Sequence, residues 1–226
     1  KVYKGVADAA HVGTIKSLLG EDKDGRLTLA VYEILAEMGD RSMLKAADAL
    51  AKSTTVYMRP TGVYYLGRVG GAGRLGDMHQ YLADALPDVR IAAARVLGYI
   101  ASYVSVGPLT DGLNNESDGR VKVELIKALA LIKHKSAYEA LHFYTREQDD
   151  GVRKLVVRAL AESGEVAARQ GLQIAIRDRS PDVRFEAVRG FLMSDPVSAV
   201  DHFKRALAWL QPGAILSLTR EFGDTF

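Results

Sequence analysis

The sequence predicts an all-α fold, a right-handed α-solenoid of about six helical pairs with partial repeats at both ends. Three observations carry this. Apolar residues recur in register at Leu27, Met58, Val89, Val121, Val152 and Val183, in steps of 31, 31, 32, 31 and 31. Each of them opens a run of apolar or small residues with helical spacing. No segment alternates with period two for long, so no sheet is expected.

The first helix of each pair starts at the register residue. Positions 4, 7 and 8 beyond it form one face: Val31, Ile34 and Leu35; Leu125, Ala128 and Leu129; Val156, Ala159 and Leu160. Steps of three and four place such residues together on a helix. Asp88 and Asp182, just before the register, are expected to cap their helices. Pro60, Pro87 and Pro181 fall near helix starts, where a missing N–H costs little. Val63-Tyr64-Tyr65-Leu66 resembles a strand in isolation, but the period places it in a helix.

Second helices are expected near 41–52, 73–85, 106–115, 135–147, 165–178 and 196–210. Their buried stripes are Leu44/Ala47/Leu50, Tyr138/Leu141 and Phe203/Leu207/Leu210. Gly39-Asp40, Gly70-Gly71 and Ser194-Asp195 supply the turns between helices. One pair cannot bury both of its apolar faces, whereas stacked pairs bury a continuous core. Ala92, Ala93, Ala94, Ala128, Ala159 and Ala187 are small enough for close helix approach.

The expected organisation is a single domain over 1–226. It comprises a half repeat at 5–20, repeats near 21–53, 54–86, 87–117, 118–148, 149–180 and 181–211, and a partial helix at 212–226. Residues 6–19 read as a second helix, with Val12, Ile15 and Leu19 as its stripe. Pro212-Gly213 is expected to stop a helix, and Ile215, Leu218 and Phe222 to mark the next. A chain that opens on half a unit, at Lys1 rather than Met, reads as part of a longer protein.

Composition narrows the function. The 30 basic and 28 acidic residues nearly cancel, so no field of one sign draws in nucleic acid or an anionic membrane. The sequence has no cysteine, which excludes disulfides, thiolate catalysis and cysteine-ligated metal. No apolar run approaches the roughly 18 residues of a membrane span. The expected compartment is the cytoplasm.

Asp88-Val89-Arg90-Ile91-Ala92-Ala93-Ala94-Arg95-Val96-Leu97-Gly98 and Asp182-Val183-Arg184-Phe185-Glu186-Ala187-Val188 carry a resemblance. They resemble the HEAT-repeat family, in its short form of about 30 residues first described in phycobilin lyases. The likeness runs over about residues 5–211. It implies a HEAT/armadillo-like superhelix whose second helices line a concave face. It is specific for fold and weak for function, since the architecture hosts many roles.

Other motifs have structural readings. Gly71-Ala72-Gly73-Arg74-Leu75-Gly76 has the letters of a dinucleotide loop, but a helix is expected before it and no acid lies between Asp88 and Asp111. It reads as an inter-helix loop. Arg59, Arg90, Lys122, Arg153 and Arg184 form a ladder, read as structural ion pairs with Asp88, Asp150 and Asp182. His11, His79, His134, His142 and His202 show no pair at three or four residues, so no metal site is expected. The His-Glu dipeptides of di-iron HEAT-like hydroxylases are absent. No catalytic residue and no cofactor are expected.

Six tyrosines crowd between 57 and 103: Tyr57, Tyr64, Tyr65, Tyr81, Tyr99 and Tyr103. Tyr65 and Tyr81 sit in core register, and the others are candidates for a binding surface. Trp209 reads as end packing. Lys16, Lys45, Asp48, His79, Thr110, His142, Arg169, Gln173 and Lys204 flank the second-helix stripes and are the expected partner-binding row. Its mixed charge suits a protein or peptide better than a phosphate backbone. The expected function is therefore a non-catalytic scaffold that binds a protein or peptide. The alternatives are nucleic-acid binding, as in the similarly built alkylpurine DNA glycosylases, and a phycobilin-lyase-like enzyme subunit.

Overall fold

A computed structural model describes residues 9–21, 26–164, 168–194, 201, 203–204 and 208–222. Among them every regular element is helical, and the fold is an α-solenoid of stacked helical pairs. The chain divides into two compact units, Lys1–Ala128 and Leu129–Phe226.

The first unit holds α1 (Ala9–Ser17), α2 (Arg26–Met38), α3 (Leu44–Ala51), α4 (Arg59–Gly70), α5 (Leu75–Tyr81), α6 (Pro87–Ile100), α7 (Val106–Asn115) and most of α8 (Gly119–Ile132). Helix α4 packs against α2, α3 and α6. Its strand-like stretch is helical, with Val63, Tyr65 and Leu66 buried. Gly62 allows α4 to press on α3: a Cβ there would lie 2.8 Å from the Ala47 carbonyl oxygen. Val31 and Leu35 of α2 are buried as expected, but Ile34 is 46% exposed. Tyr32 and Ala36 take its place in the core, so the buried face of α2 turns toward positions 32 and 36.

The second unit holds the end of α8, then α9 (Lys135–Phe143), α10 (Asp150–Ser163), α11 (Arg169–Ala175), α12 (Pro181–Ser194) and α13 (Pro212–Phe222). Val156, Leu160, Leu172, Ala175, Val183 and Ala187 are buried among these helices. Val188, Leu192, Leu210 and Leu218 close the far end, with Phe203, Trp209 and Phe222 packed around them. Pro212 opens α13 rather than only stopping what precedes it, consistent with proline at a first helical position. Most of the expected second helix at 196–210, including His202 and Leu207, lies outside the described residues.

Helix ends differ from expectation at two levels. Asp88 lies inside the first turn of α6, whose cap residue is Leu86 with no side-chain bond. Capping falls instead to Asp149, which accepts the Val152 N–H of α10 at 2.8 Å. The stop signals also share the register. Gly39, Ala101, Lys133 and Gly164 all have positive φ and all sit twelve residues beyond a register residue. Glycine marks only two of these four stops.

Candidate partner-binding surface

The register arginines turn inward. Arg90 donates to both Glu116 carboxylate oxygens at 2.8 and 2.9 Å, and to the carbonyls of Asp84 and Ala85. Arg153 does the same with Asp178, Glu147 and Gln148. Arg59 pairs with Asp84 at 2.5 Å and donates to the Ala51 carbonyl. Arg184 donates to the Asp178 and Arg179 carbonyls and lies over the Trp209 ring. Arg59, Arg90 and Arg153 thus tie the loop before their helix to the acid that ends the following second helix, whereas Arg184 holds only the loop carbonyls and the Trp209 ring. Lys122 has no ion-pair partner among the described residues.

The expected acids Asp88, Asp150 and Asp182 are not the partners. Asp88 and Arg90 are two apart on one helix, and such residues do not face each other. Asp88 meets Arg120 at 3.2 Å, and Asp182 meets Lys154 at 2.8 Å. Burial pushes the Glu116 and Asp178 carboxyls up, but hydrogen bonds and charge from Arg90 and Arg153 outweigh it and hold both below their ordinary values.

The partner-binding row is only partly free. Lys16 is drawn onto Asp40 and Ser42. Asp48 pairs with Lys52 one turn away at 2.8 Å. His79 Nε2 lies 3.0 Å from the Ser105 hydroxyl, and burial lowers its pKa. Thr110 donates to the Val106 carbonyl within its own helix. In the second unit, His142 and Arg169 are half-buried. Lys45, Gln173 and Lys204 remain exposed. Phe143, beside His142, is 76% exposed.

Tyrosines divide as follows. Tyr65 is buried and donates to the Asp40 carbonyl, whereas Tyr81 is half-buried. Tyr57, Tyr99 and Tyr103 are more than half exposed. Arg68 stacks on Tyr99 at 3.4 Å and pairs with Glu37 at 3.0 Å. Tyr64 donates to Glu37; its hydroxyl is pushed up to about 12 by burial and by that carboxylate. The glycine-rich segment is a single turn between α4 and α5, with Gly71 at φ 59°. No cluster of metal-ligating side chains occurs among the described residues.

A groove of about 870 Å³ crosses the first helices of the first unit. Glu33 and Glu37 line it from α2, Tyr64 from α4, Ile91 and Arg95 from α6, and Val123 and Glu124 from α8.

A model of HEAT repeats matches residues 77–141 and again 106–191, together just over half of the chain. The chain belongs to the HEAT-repeat family. No curated protein matches its sequence. Among solved structures it is similar to a chain of the Pds5–Scc1 complex, with a TM-score of 0.59 and 14% identity over 93% of this chain. It spans only 41% of that chain. The complex of CpcE and CpcF of phycocyanin lyase from Nostoc sp. gives a TM-score of 0.54 and 14% identity, covering 100% of this chain and 98% of that one. An engineered protein gives 0.52 and 22%, covering 86% and 97%. These likenesses concern the fold.

The HEAT register also carries a second set of ion pairs, not anticipated from sequence. A base six residues past the register meets an acid three past the next one: Arg95 with Glu124 at 3.1 Å, Arg158 with Glu186 at 3.0 Å. Glu186 is 3% exposed, an acid hidden by its neighbour's guanidinium. The acid is present only at Glu124 and Glu186; Ala30, Thr61, Ala92 and Leu155 stand at the equivalent positions, and the groove runs over Thr61 and Ala92. The small side chains of Thr61 and Ala92 are its trace in the sequence.

Proposed function

We propose that this HEAT-repeat chain is a non-catalytic scaffold that binds a protein or peptide partner along its second helices. The observation that carries this reading is the inward turn of Arg59, Arg90, Arg153 and Arg184. A phosphate-binding stripe needs outward cations, one counterion release per contact. Here the repeated cations are spent on carbonyls and acids of their own repeats, and large apolar side chains such as Phe143 stand outside. Exposed aromatics beside mixed polar groups suit a protein surface. Lys45, Asp48, Gln173 and Lys204 belong to the proposed contact row, with His142 beside Phe143.

The experiment is capture with the tagged chain, run in parallel with a Lys45→Glu, Phe143→Ser, Gln173→Glu variant. Proteins held by the wild type and lost by the variant are the expected result, with affinity nearly independent of salt. Equal recovery by both, or duplex DNA binding whose log affinity falls steeply with log salt, would overturn it.

A further inference from the structure

We propose that the groove across α2, α4, α6 and α8 is a second binding site, which takes an extended peptide segment of a partner protein with a basic residue at one end and apolar residues after it. The inference rests on the scaffold reading but concerns the opposite set of helices.

The groove has a physical cause. Its floor is built from residues two and three past each register position: Pro60 and Thr61, Ile91 and Ala92, then Val123 and Glu124. Thr61 and Ala92 are buried at 9% and 6% exposure, so the floor lies level with the core. In the next step Glu124 fills the equivalent place and is bound by Arg95 and Lys127, which closes the row. The opening therefore spans three helix-to-helix steps. At about 8–10 Å each, that is the reach of roughly eight extended residues at about 3.3 Å per residue.

Charge selects the occupant. At the α2 end, Glu33 is exposed and has no ion-pair partner among the described residues. Glu37 beside it is shared between Tyr64 and Arg68, yet its side chain is 56% exposed. At the other end every charge is matched: Arg95 with Glu124, Arg120 with Asp88 and Asp118. The unbalanced charge is negative and lies at one end only. A lysine or arginine there has an unshared carboxylate to meet. The apolar residues that follow it cover Ile91, Ala92 and Val123. This polarity places the basic end of the segment at α2.

The test uses two labelled nonapeptides, one with two leading lysines followed by alternating leucine and serine, the other with glutamates in place of the lysines. Fluorescence anisotropy should show binding of the lysine peptide and not of its counterpart. Glu33→Lys should weaken the lysine peptide roughly ten-fold and strengthen the glutamate peptide, with an unchanged melting curve because Glu33 is exposed and holds no ion-pair partner among the described residues. Amide shifts on titration should move at Ile91, Ala92 and Val123. Equal binding of both peptides, no effect of Glu33→Lys, or failure of the lysine peptide to bind would overturn the site. Shifts at Lys45 and Gln173 in place of Ile91 would overturn it too, while leaving the second-helix scaffold standing.

Discussion

Arg153 of α10 and Asp178, just past α11, close one repeat on itself through two hydrogen bonds of 2.8 and 2.9 Å. Their side chains are only 4% and 9% exposed. Arg153 also holds the Glu147 and Gln148 carbonyls, and Asp178 accepts the Ser180 N–H. Every side-chain nitrogen and oxygen of the pair has a hydrogen-bond partner, the condition under which a buried ion pair is tolerated.

Removing one partner leaves the other charged and buried, which costs about 3–5 kcal/mol. Asp178→Asn should therefore lower Tm by roughly 10 °C in a domain of this size. Arg153→Lys keeps the charge but loses the two-pronged geometry, and should also destabilise. Arg120→Ala, at an exposed pair, should leave the melting curve unchanged. Thermal melts of the three variants give the ranking, and an equal loss in all three would contradict it.

The contrast between these pairs shows how much could be read from sequence. Val89, Val121, Val152 and Val183 mark the repeat because burial demands an apolar side chain, and all four are buried. The ladder arginines were visible for the same reason of period. Their partners were not, because Glu116 and Asp178 lie in loops where acids are common and only the folded turn brings them to the arginine. Ile34 was misplaced because α2 is rotated toward Tyr32 and Ala36. Lys16, His79 and Thr110 looked free because periodicity gives a face but not the neighbour that uses it. The groove was missed because small residues at positions 61 and 92 signal space, and space leaves no motif.

Stability should fall at both ends of the pH scale. The Glu116 and Asp178 carboxyls lie below their ordinary values when folded. Their contribution is complete above the unfolded values of about 4 and is lost as pH falls through the folded ones. Tyr64 and Tyr65 are pushed up to about 12, first by burial. A raised value means their contribution holds below about pH 10 and disappears as pH rises toward 12. Denaturant melts across pH should show both limbs, and Tyr65→Phe should shrink the alkaline one. A tyrosinate titration with all ten tyrosines near their ordinary value would contradict the second limb.

The helix stops at Ala101 and Lys133 offer a gain. Both adopt positive φ, at 55° and 50°, where a side chain crowds the backbone. Gly39 and Gly164 occupy the same repeat position without that cost. Ala101→Gly should stabilise the protein, because relief of about 1–2 kcal/mol of left-handed crowding outweighs the roughly 0.4–1 kcal/mol that glycine adds to unfolded-chain entropy; the readout is a higher denaturant midpoint with an unchanged slope. A lower midpoint would show that Ala101 contributes packing that outweighs its strain.

Glycines inside the helices should respond in the opposite sense. In a solvent-facing helix, Gly→Ala gains about 1 kcal/mol from helix propensity. Gly190 of α12 faces α10 instead: a Cβ there would stand 2.6 Å from the Ala161 Cβ and 2.9 Å from a Leu172 methyl. Ala161 is itself a short side chain fixed to the backbone and cannot swing aside. The two helices must separate, and overpacking of that kind costs about 1–3 kcal/mol, more than propensity returns. Gly190→Ala should therefore lower the denaturant midpoint, whereas Gly213→Ala, with open space around its Cβ, should not. A double variant with Ala161→Gly should recover part of the loss, because it removes the obstructing methyl. No recovery would place the clash elsewhere than between α10 and α12.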